Sequence, residues 1–232
     1  MKSSWSETLS RAKDALSDEY REFLKADSGY IPKQDNYLNA FKTLPKESVK
    51  YILFGQDPYP REQSAGGYAF IDTNVKEIFS QKGLSKEVNR ATSLRNFIKM
   101  ALVARGDLSV DDTSQEAILR VDKSPLINSI DELRLNFEKN GVLLLNTALI
   151  FTDKKSSREH IKEWRGFIQV ILEDLANRDI TLILFGTHAK ELKKRFELSS
   201  YESVELEHPY NHTFITNKDA INLFAKMNLL EK

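Results

Sequence analysis

The most reactive-looking side chains in this sequence are a carboxylate set between rigid neighbours, an imidazole placed just before a proline, and an amide that closes an apolar run. Asp57 lies in Gly55-Gln56-Asp57-Pro58-Tyr59-Pro60. Asp-Pro-Tyr-Pro is good turn chemistry, and a turn residue is the plain reading of it. The other reading is a carboxylate held stiffly enough to position a water or to face a developing cation. Hydrolysis of an N-glycosidic bond needs such a group, because its transition state resembles an oxocarbenium ion. His208 precedes Pro209, which restricts its backbone. It is either a satisfied strand-end histidine or a donor to negative charge on a departing base. Asn146 ends Val142-Leu143-Leu144-Leu145. It either caps the next turn or presents a donor and an acceptor side by side, which complements the O4 acceptor and N3–H donor of uracil. Phe70 follows Gly66-Gly67 and is either a core residue or a platform for a planar base. Gly186-Thr187, just before a helical pattern, can hold a phosphate through N-terminal amides and the hydroxyl.

These residues need a scaffold, and the apolar pattern supplies one. Four short β-type runs, 49–54, 142–145, 180–185 and 203–207, alternate with helical spacing. Strands alternating with helices imply a mostly parallel sheet covered on both faces, and near-continuous apolar runs suit strands buried on both sides. The expected fold is therefore α/β, a three-layer sandwich around a central four-stranded sheet flanked by helices. Residues 1–232 are expected to form a single domain. The first helix is read as starting from a Ser4-x-x-Glu7 capping box and continuing through Trp5, Leu9, Ala12, Leu16, Tyr20, Phe23 and Leu24. Further helical patterns run through Leu94–Leu102, Ile161–Leu175 and Ala220–Ala225, the last with Asn217 as cap. The polar stretch around 106–129, with little pattern, reads as a loop or surface insertion. All four runs end in unusual polar segments, and open α/β sheets bind ligands outside the carboxyl ends of their strands. Asp57, Asn146, Gly186-Thr187 and His208 are thus expected to converge on one crevice.

Composition narrows the chemistry further. The chain has no cysteine, which excludes disulfides and thiolate metal sites. Its histidines, His160, His188, His208 and His212, show no zinc-type spacing with carboxylates, so neither metal nor cofactor is expected. The 34 basic residues balance 34 acidic ones. That weighs mildly against a nucleic-acid partner, although gripping a few phosphates needs only a local cluster of donors. Met1–Glu7 carry no apolar signal region, and no apolar run approaches the roughly 18 residues of a membrane span. A cytoplasmic monomer is the expectation.

Taken together the motifs resemble the family 1 uracil-DNA glycosylases. Phe54-Gly55-Gln56-Asp57-Pro58-Tyr59 is similar to that family's water-activating signature, Gly141–Thr147 to its second signature, and His208-Pro209 to the opening of its DNA-intercalation loop. Ile31-Pro32, Ala40-Phe41, Thr92-Ser93-Leu94-Arg95-Asn96 and Phe185-Gly186-Thr187-His188-Ala189 match in the same order. The resemblance spans roughly Trp5 to Leu230 and lapses near 103–128, where this sequence is longer. It implies that Asp57 orients the attacking water and stabilises the sugar cation, and that His208 hydrogen-bonds the uracil O2. Asn146 would read the base edge, Phe70 would stack on the ring, Gln56 would help hold it, and Tyr59 would fill the space that thymine needs for its methyl. Ser93, Gly186 and Thr187 would hold phosphates, with Pro209, Tyr210 and His212 on the DNA-facing loop.

Three positions depart from the family pattern. Pro60 stands where most members have His, and the proline-rich phosphate loop is replaced by Asn89-Arg90-Ala91-Thr92-Ser93. The intercalating leucine falls on His212. Three rival functions remain. A glycosylase of another modified base is opposed by Tyr59 and Asn146, and a non-catalytic DNA-binding or replication-accessory protein by Asp57 and His208. A free-nucleoside hydrolase would have no use for Ser93 and Thr187.

Overall fold

A computed structural model describes residues 4–26 and 28–232, with residues 188–190 described by backbone only. Three helices, α1 (Ser6–Asp14), α2 (Asp18–Lys25) and α3 (Asn39–Thr43), precede strand β1 (Tyr51–Gly55). A small hairpin follows, β2 (Phe79–Ser80) and β3 (Gly83–Leu84), and then α4 (Lys86–Arg90), α5 (Thr92–Arg105), α6 (Gln115–Arg120) and α7 (Ile130–Lys139). Strand β4 (Val142–Asn146) leads into α8 (Ser157–Glu163) and α9 (Arg165–Leu175). The chain closes with β5 (Thr181–Phe185), α10 (His188–Arg195), β6 (Glu202–Leu206) and α11 (Lys218–Ala225).

The central sheet has the order β4-β1-β5-β6, and β1 runs parallel to both β4 and β5. The fold is α/β with a four-stranded parallel sheet flanked by helices, as the alternating pattern implied. Ile52, Phe54, Leu143, Leu145, Leu182 and Leu184 join one apolar cluster. The alternate residues Leu53, Leu144 and Ile183 are equally buried, so β1, β4 and β5 have no wet face, whereas edge strand β6 exposes Glu202, Ser203 and Glu205. Burial on both faces explains why β1, β4 and β5 read as unbroken apolar runs.

The chain forms two compact units, Met1–Asp72 with Gly141–Val204, and Thr73–Asn140 with Glu205–Lys232. In the first, aromatic rings lock the helices to one another. Trp5 meets Phe41 edge-on at 5.1 Å, Trp164 meets Phe167 at 4.9 Å, and the Trp5 indole donates to the Leu44 carbonyl at 2.8 Å. In the second, Phe97 of α5 contacts the rings of Phe137, Phe214 and Phe224.

Several local expectations fail for identifiable reasons. The N-terminal helix is two helices, because Ser17 caps α2 by accepting from the Tyr20 N–H at 3.2 Å. Ser4 caps nothing: its hydroxyl accepts from the Lys46 N–H at 2.9 Å. The apolar stretch 161–175 is likewise two helices meeting at Trp164. The 106–129 stretch contains α6, capped by Ser114, and ends in a full capping box, Ser129 with Glu132, that starts α7. Asn217 caps α11 as expected, accepting from the Ala220 N–H at 2.9 Å.

Candidate active site

In the first unit the loops leaving β1 and β4 are stitched together at the carboxyl edge of the sheet. Gly55 pairs with Asn146 in register. The Thr147 N–H donates to the Gly55 carbonyl at 3.0 Å. The Gln56 carbonyl accepts from both the Thr147 hydroxyl at 2.8 Å and the Ala148 N–H at 2.9 Å. A third segment joins them through the Ala69 N–H, which donates to the Leu144 carbonyl at 3.1 Å. Gln56, Asp57, Phe70 and Asn146 therefore sit on three tied loops, where an open α/β sheet binds its ligand. Gly55 is required here: a Cβ would strike Asn146 Oδ1 and come within 3.1 Å of the Ala69 Cβ. The Asn146 amide lies against that bare Cα, and the residue is 6% exposed.

Asp57 is half-buried, and its Oδ2 accepts from the Ser157 hydroxyl at 2.5 Å. Ser157 is 8% exposed at the start of α8. Sequence reasoning missed this residue, and no local signal points to it. A short hydrogen bond to a carboxylate is among the stronger kinds, and it fixes one oxygen so that the other has a defined direction. Loss of a hydrogen bond to a charged group costs about 1.5–3 kcal/mol. Ser157→Ala is therefore expected to lower the thermal midpoint by several degrees and, with Asp57 no longer held in place, to lower the single-turnover rate by about tenfold or more. A rate unchanged within twofold would show that Asp57 is held by other means.

His160 is structural. Its Nδ1 is 2.6 Å from the Tyr20 hydroxyl and its Nε2 is 2.9 Å from the Thr152 hydroxyl. Burial holds its pKa below the usual histidine range, against the opposing pull of Asp153, Glu159, Asp57 and Glu163. Among the described residues no cluster of His, Asp or Glu is arranged to hold a metal ion. The side chain of His188 lies outside the described residues.

Tyr59 and Phe70 hold each other. The Tyr59 hydroxyl donates to the Phe70 carbonyl at 3.2 Å. Burial, with a contribution from the Asp72 carboxylate, pushes the phenol pKa well above its usual range, so the ring presents a neutral wall. Phe70 has φ 68°, a left-handed conformation that is uncommon for a bulky residue and that collects at functional sites. Its ring lies 6.1 Å from that of Phe185 at the end of β5 and is half-exposed. The loop can turn this tightly because Gly67, at φ 81°, packs where a Cβ would collide with the Asn36 carbonyl. Gly186 follows β5 with φ 61°, and exposed Thr187 stands at the N-cap of α10 with no side-chain cap bond.

The second unit carries the remaining candidates. Ser93 is in the first turn of α5 and half-buried. The preceding Asn89 and Arg90 belong to α4, so a helix end stands where the family pattern has a proline-rich loop. His208, Tyr210 and His212 are exposed and Pro209 is buried. The Tyr210 N–H donates to His208 Nδ1 at 3.0 Å. An Nδ1 that accepts leaves the neutral ring's proton on Nε2, so His208 offers an Nε2–H donor. Phe214 is fully buried in this unit and cannot reach a DNA stack.

A carboxylate hydrogen-bonded by a serine, on a loop tied to a strand-end amide, suits a hydrolase that cuts a base from a sugar. The comparisons make that class specific. The profile described as Uracil DNA glycosylase superfamily matches residues 41–228, and the chain belongs to that superfamily. A crystal structure of wild-type UNG from Nitratifractor salsuginis superposes with a TM-score of 0.97 and 58% identity, covering 99% of this chain and 92% of that one. The uracil-DNA glycosylase of Fusobacterium nucleatum is 26% identical, over 86% of this chain and 73% of its own length. That of Shouchella clausii is 29% identical, over 82% and 71%.

Proposed function

We propose that the protein is a DNA-repair glycosylase that flips uracil out of DNA, hydrolyses its N-glycosidic bond and leaves an abasic site, with residues 1–232 as a single glycosylase domain. The observation that carries this reading is the Ser157–Asp57 pair on a loop tied to that of Asn146. Asp57 orients water and faces the sugar cation. His208 Nε2–H stabilises the uracil anion at O2. Asn146 reads the base edge, Phe70 stacks on the ring, Gln56 helps hold it and Tyr59 excludes a methyl. Ser93, Gly186 and Thr187 take the flanking phosphates, and Pro209, Tyr210 and His212 meet the DNA. The enzyme works without metal or cofactor, as a cytoplasmic monomer. No helix among the described residues is long and apolar enough to cross a membrane. The test is direct: incubate with uracil-containing and normal oligonucleotides, treat with alkali, and score strand breaks. Breaks confined to uracil positions and surviving excess EDTA are the expected result.

The loop bearing His212 sets the strand preference. Extruding a base from a duplex costs a few kcal/mol that single-stranded DNA does not demand, and an apolar wedge offsets part of that cost. Imidazole is smaller in apolar area and better hydrated than a leucine side chain. His212→Leu should raise the duplex rate relative to the single-strand rate, read as a ratio of single-turnover rates. An unchanged ratio would pass the wedge role to Tyr210, which is 67% exposed.

A further inference from the structure

We propose that Asn96 is a positioning residue for the glycosidic reaction, setting the orientation and tautomer of His208 through one peptide unit. Asn96 lies on α5 and is 1% exposed. Its Nδ2 donates to the Pro209 carbonyl at 2.8 Å and, at longer range, to those of Tyr210 at 3.3 Å and Asn211 at 3.2 Å. The shortest of these hydrogen bonds falls on the peptide joining Pro209 to Tyr210. The N–H of that same peptide is the donor to His208 Nδ1 at 3.0 Å. In a planar trans peptide the C=O and N–H point in opposite directions. Asn96 thus grips one end of a rigid plane whose other end addresses the imidazole.

Two consequences follow for chemistry. The plane cannot rotate without breaking the Asn96 hydrogen bond, so the N–H stays aimed at Nδ1 and the ring proton stays on Nε2. The bonds also run head to tail, Asn96 N–H to carbonyl and peptide N–H to Nδ1, and chains of this kind polarise one another. The amide orientation is unambiguous, because a flipped Asn96 would set Oδ1 against three carbonyl oxygens. Asn96 Oδ1 is buried with no hydrogen-bond partner among the described residues. A buried acceptor left so is costly, and the residue's own satisfaction therefore does not explain its presence.

This inference rests on the role proposed above for His208, and the experiment separates the two. Asn96→Leu keeps the branched shape and heavy-atom count and removes the donor. In the wild-type background it is expected to lower kcat by at least about tenfold, and by no more than the hundred- to thousand-fold that loss of such a donor itself costs, with KM little changed. In a His208→Ala background the same substitution should have almost no further effect. Asn96→Gln, which retains an amide, should recover part of the rate. Independently of any variant, the imidazole 15N shifts of His208 in the full-length protein should report the Nε2–H tautomer, and Asn96→Leu should mix in the other. An Asn96→Leu loss that is undiminished without His208, or wild-type shifts reporting Nδ1–H, would overturn the proposal. Wild-type turnover by His208→Ala would instead remove the catalytic role of His208, and the Asn96 role with it, while leaving the 15N shifts to report the tautomer.

Discussion

Asp57→Asn and His208→Leu are each expected to slow single-turnover uracil release by on the order of a hundred- to a thousand-fold, with binding to uracil-containing DNA changed far less. The asymmetry follows from what each group faces. Asp57 Oδ2 is occupied by Ser157, so the carboxylate acts with its charge and its remaining oxygen, and both count most when the sugar becomes cationic. Asn keeps the shape and loses the charge; its Oδ1 can still accept from the Ser157 hydroxyl, which puts an amide N–H2 where the free carboxylate oxygen had been. His208 presents an Nε2–H because Nδ1 is already accepting, and that donor gains strength as the base takes on negative charge. Neither interaction is fully developed in the ground state, which is why kcat carries the loss. Rapid-quench rates on a single uracil site, beside equilibrium binding to the same oligonucleotide, separate the two quantities. A double variant turning over near the wild-type rate would assign the chemistry to other residues.

Sheet and site differ in how far they can be read from sequence, and the difference is one of range. Strands β1, β4 and β5 are legible because both faces are buried, so the sequence carries their apolar character without interruption. The polar residues directly after them are legible too, since a strand end and a ligand edge coincide in this fold class. Helix breaks are less so. Leu16 is buried between α1 and α2 and keeps the helical spacing intact across the break. Trp164 does the same between α8 and α9. Ser4 shows the capping pattern, but a backbone N–H distant in sequence claims its hydroxyl. Helix α6 has only six residues, too short for a period to show. The partners that aim the chemistry are the hardest to see. Ser157 is 100 residues from Asp57 and Asn96 is 113 from Pro209. Serine and asparagine at such positions look like any helix-start or helix-face polar residue until the fold brings the pairs together.

Base selection should invert most sharply at Asn146. Asn146→Asp replaces the donor that faces uracil O4 with a second acceptor, so uracil is deprived of a hydrogen bond and meets a repulsion instead. Cytosine carries an amino group at that ring position, and a carboxylate accepts from it. Each hydrogen bond broken or newly made in a desolvated site is worth about 1–3 kcal/mol. Uracil gives up one of these bonds and cytosine acquires one, so the uracil-to-cytosine rate ratio is expected to fall by roughly 30- to 25,000-fold. The geometry supplies its own control. Gly55→Ala drives a Cβ into Asn146 Oδ1, which displaces the amide without changing its chemistry. That variant should lose uracil excision and acquire none of cytosine. The measurement is single-turnover excision from matched oligonucleotides holding uracil or cytosine at one position, for wild type, Asn146→Asp and Gly55→Ala. If Asn146→Asp keeps its uracil rate and releases no cytosine, the amide does not read the base edge, and recognition belongs to the Gln56 loop. If Gly55→Ala also releases cytosine, a loosened pocket explains the new activity and the donor-to-acceptor argument fails.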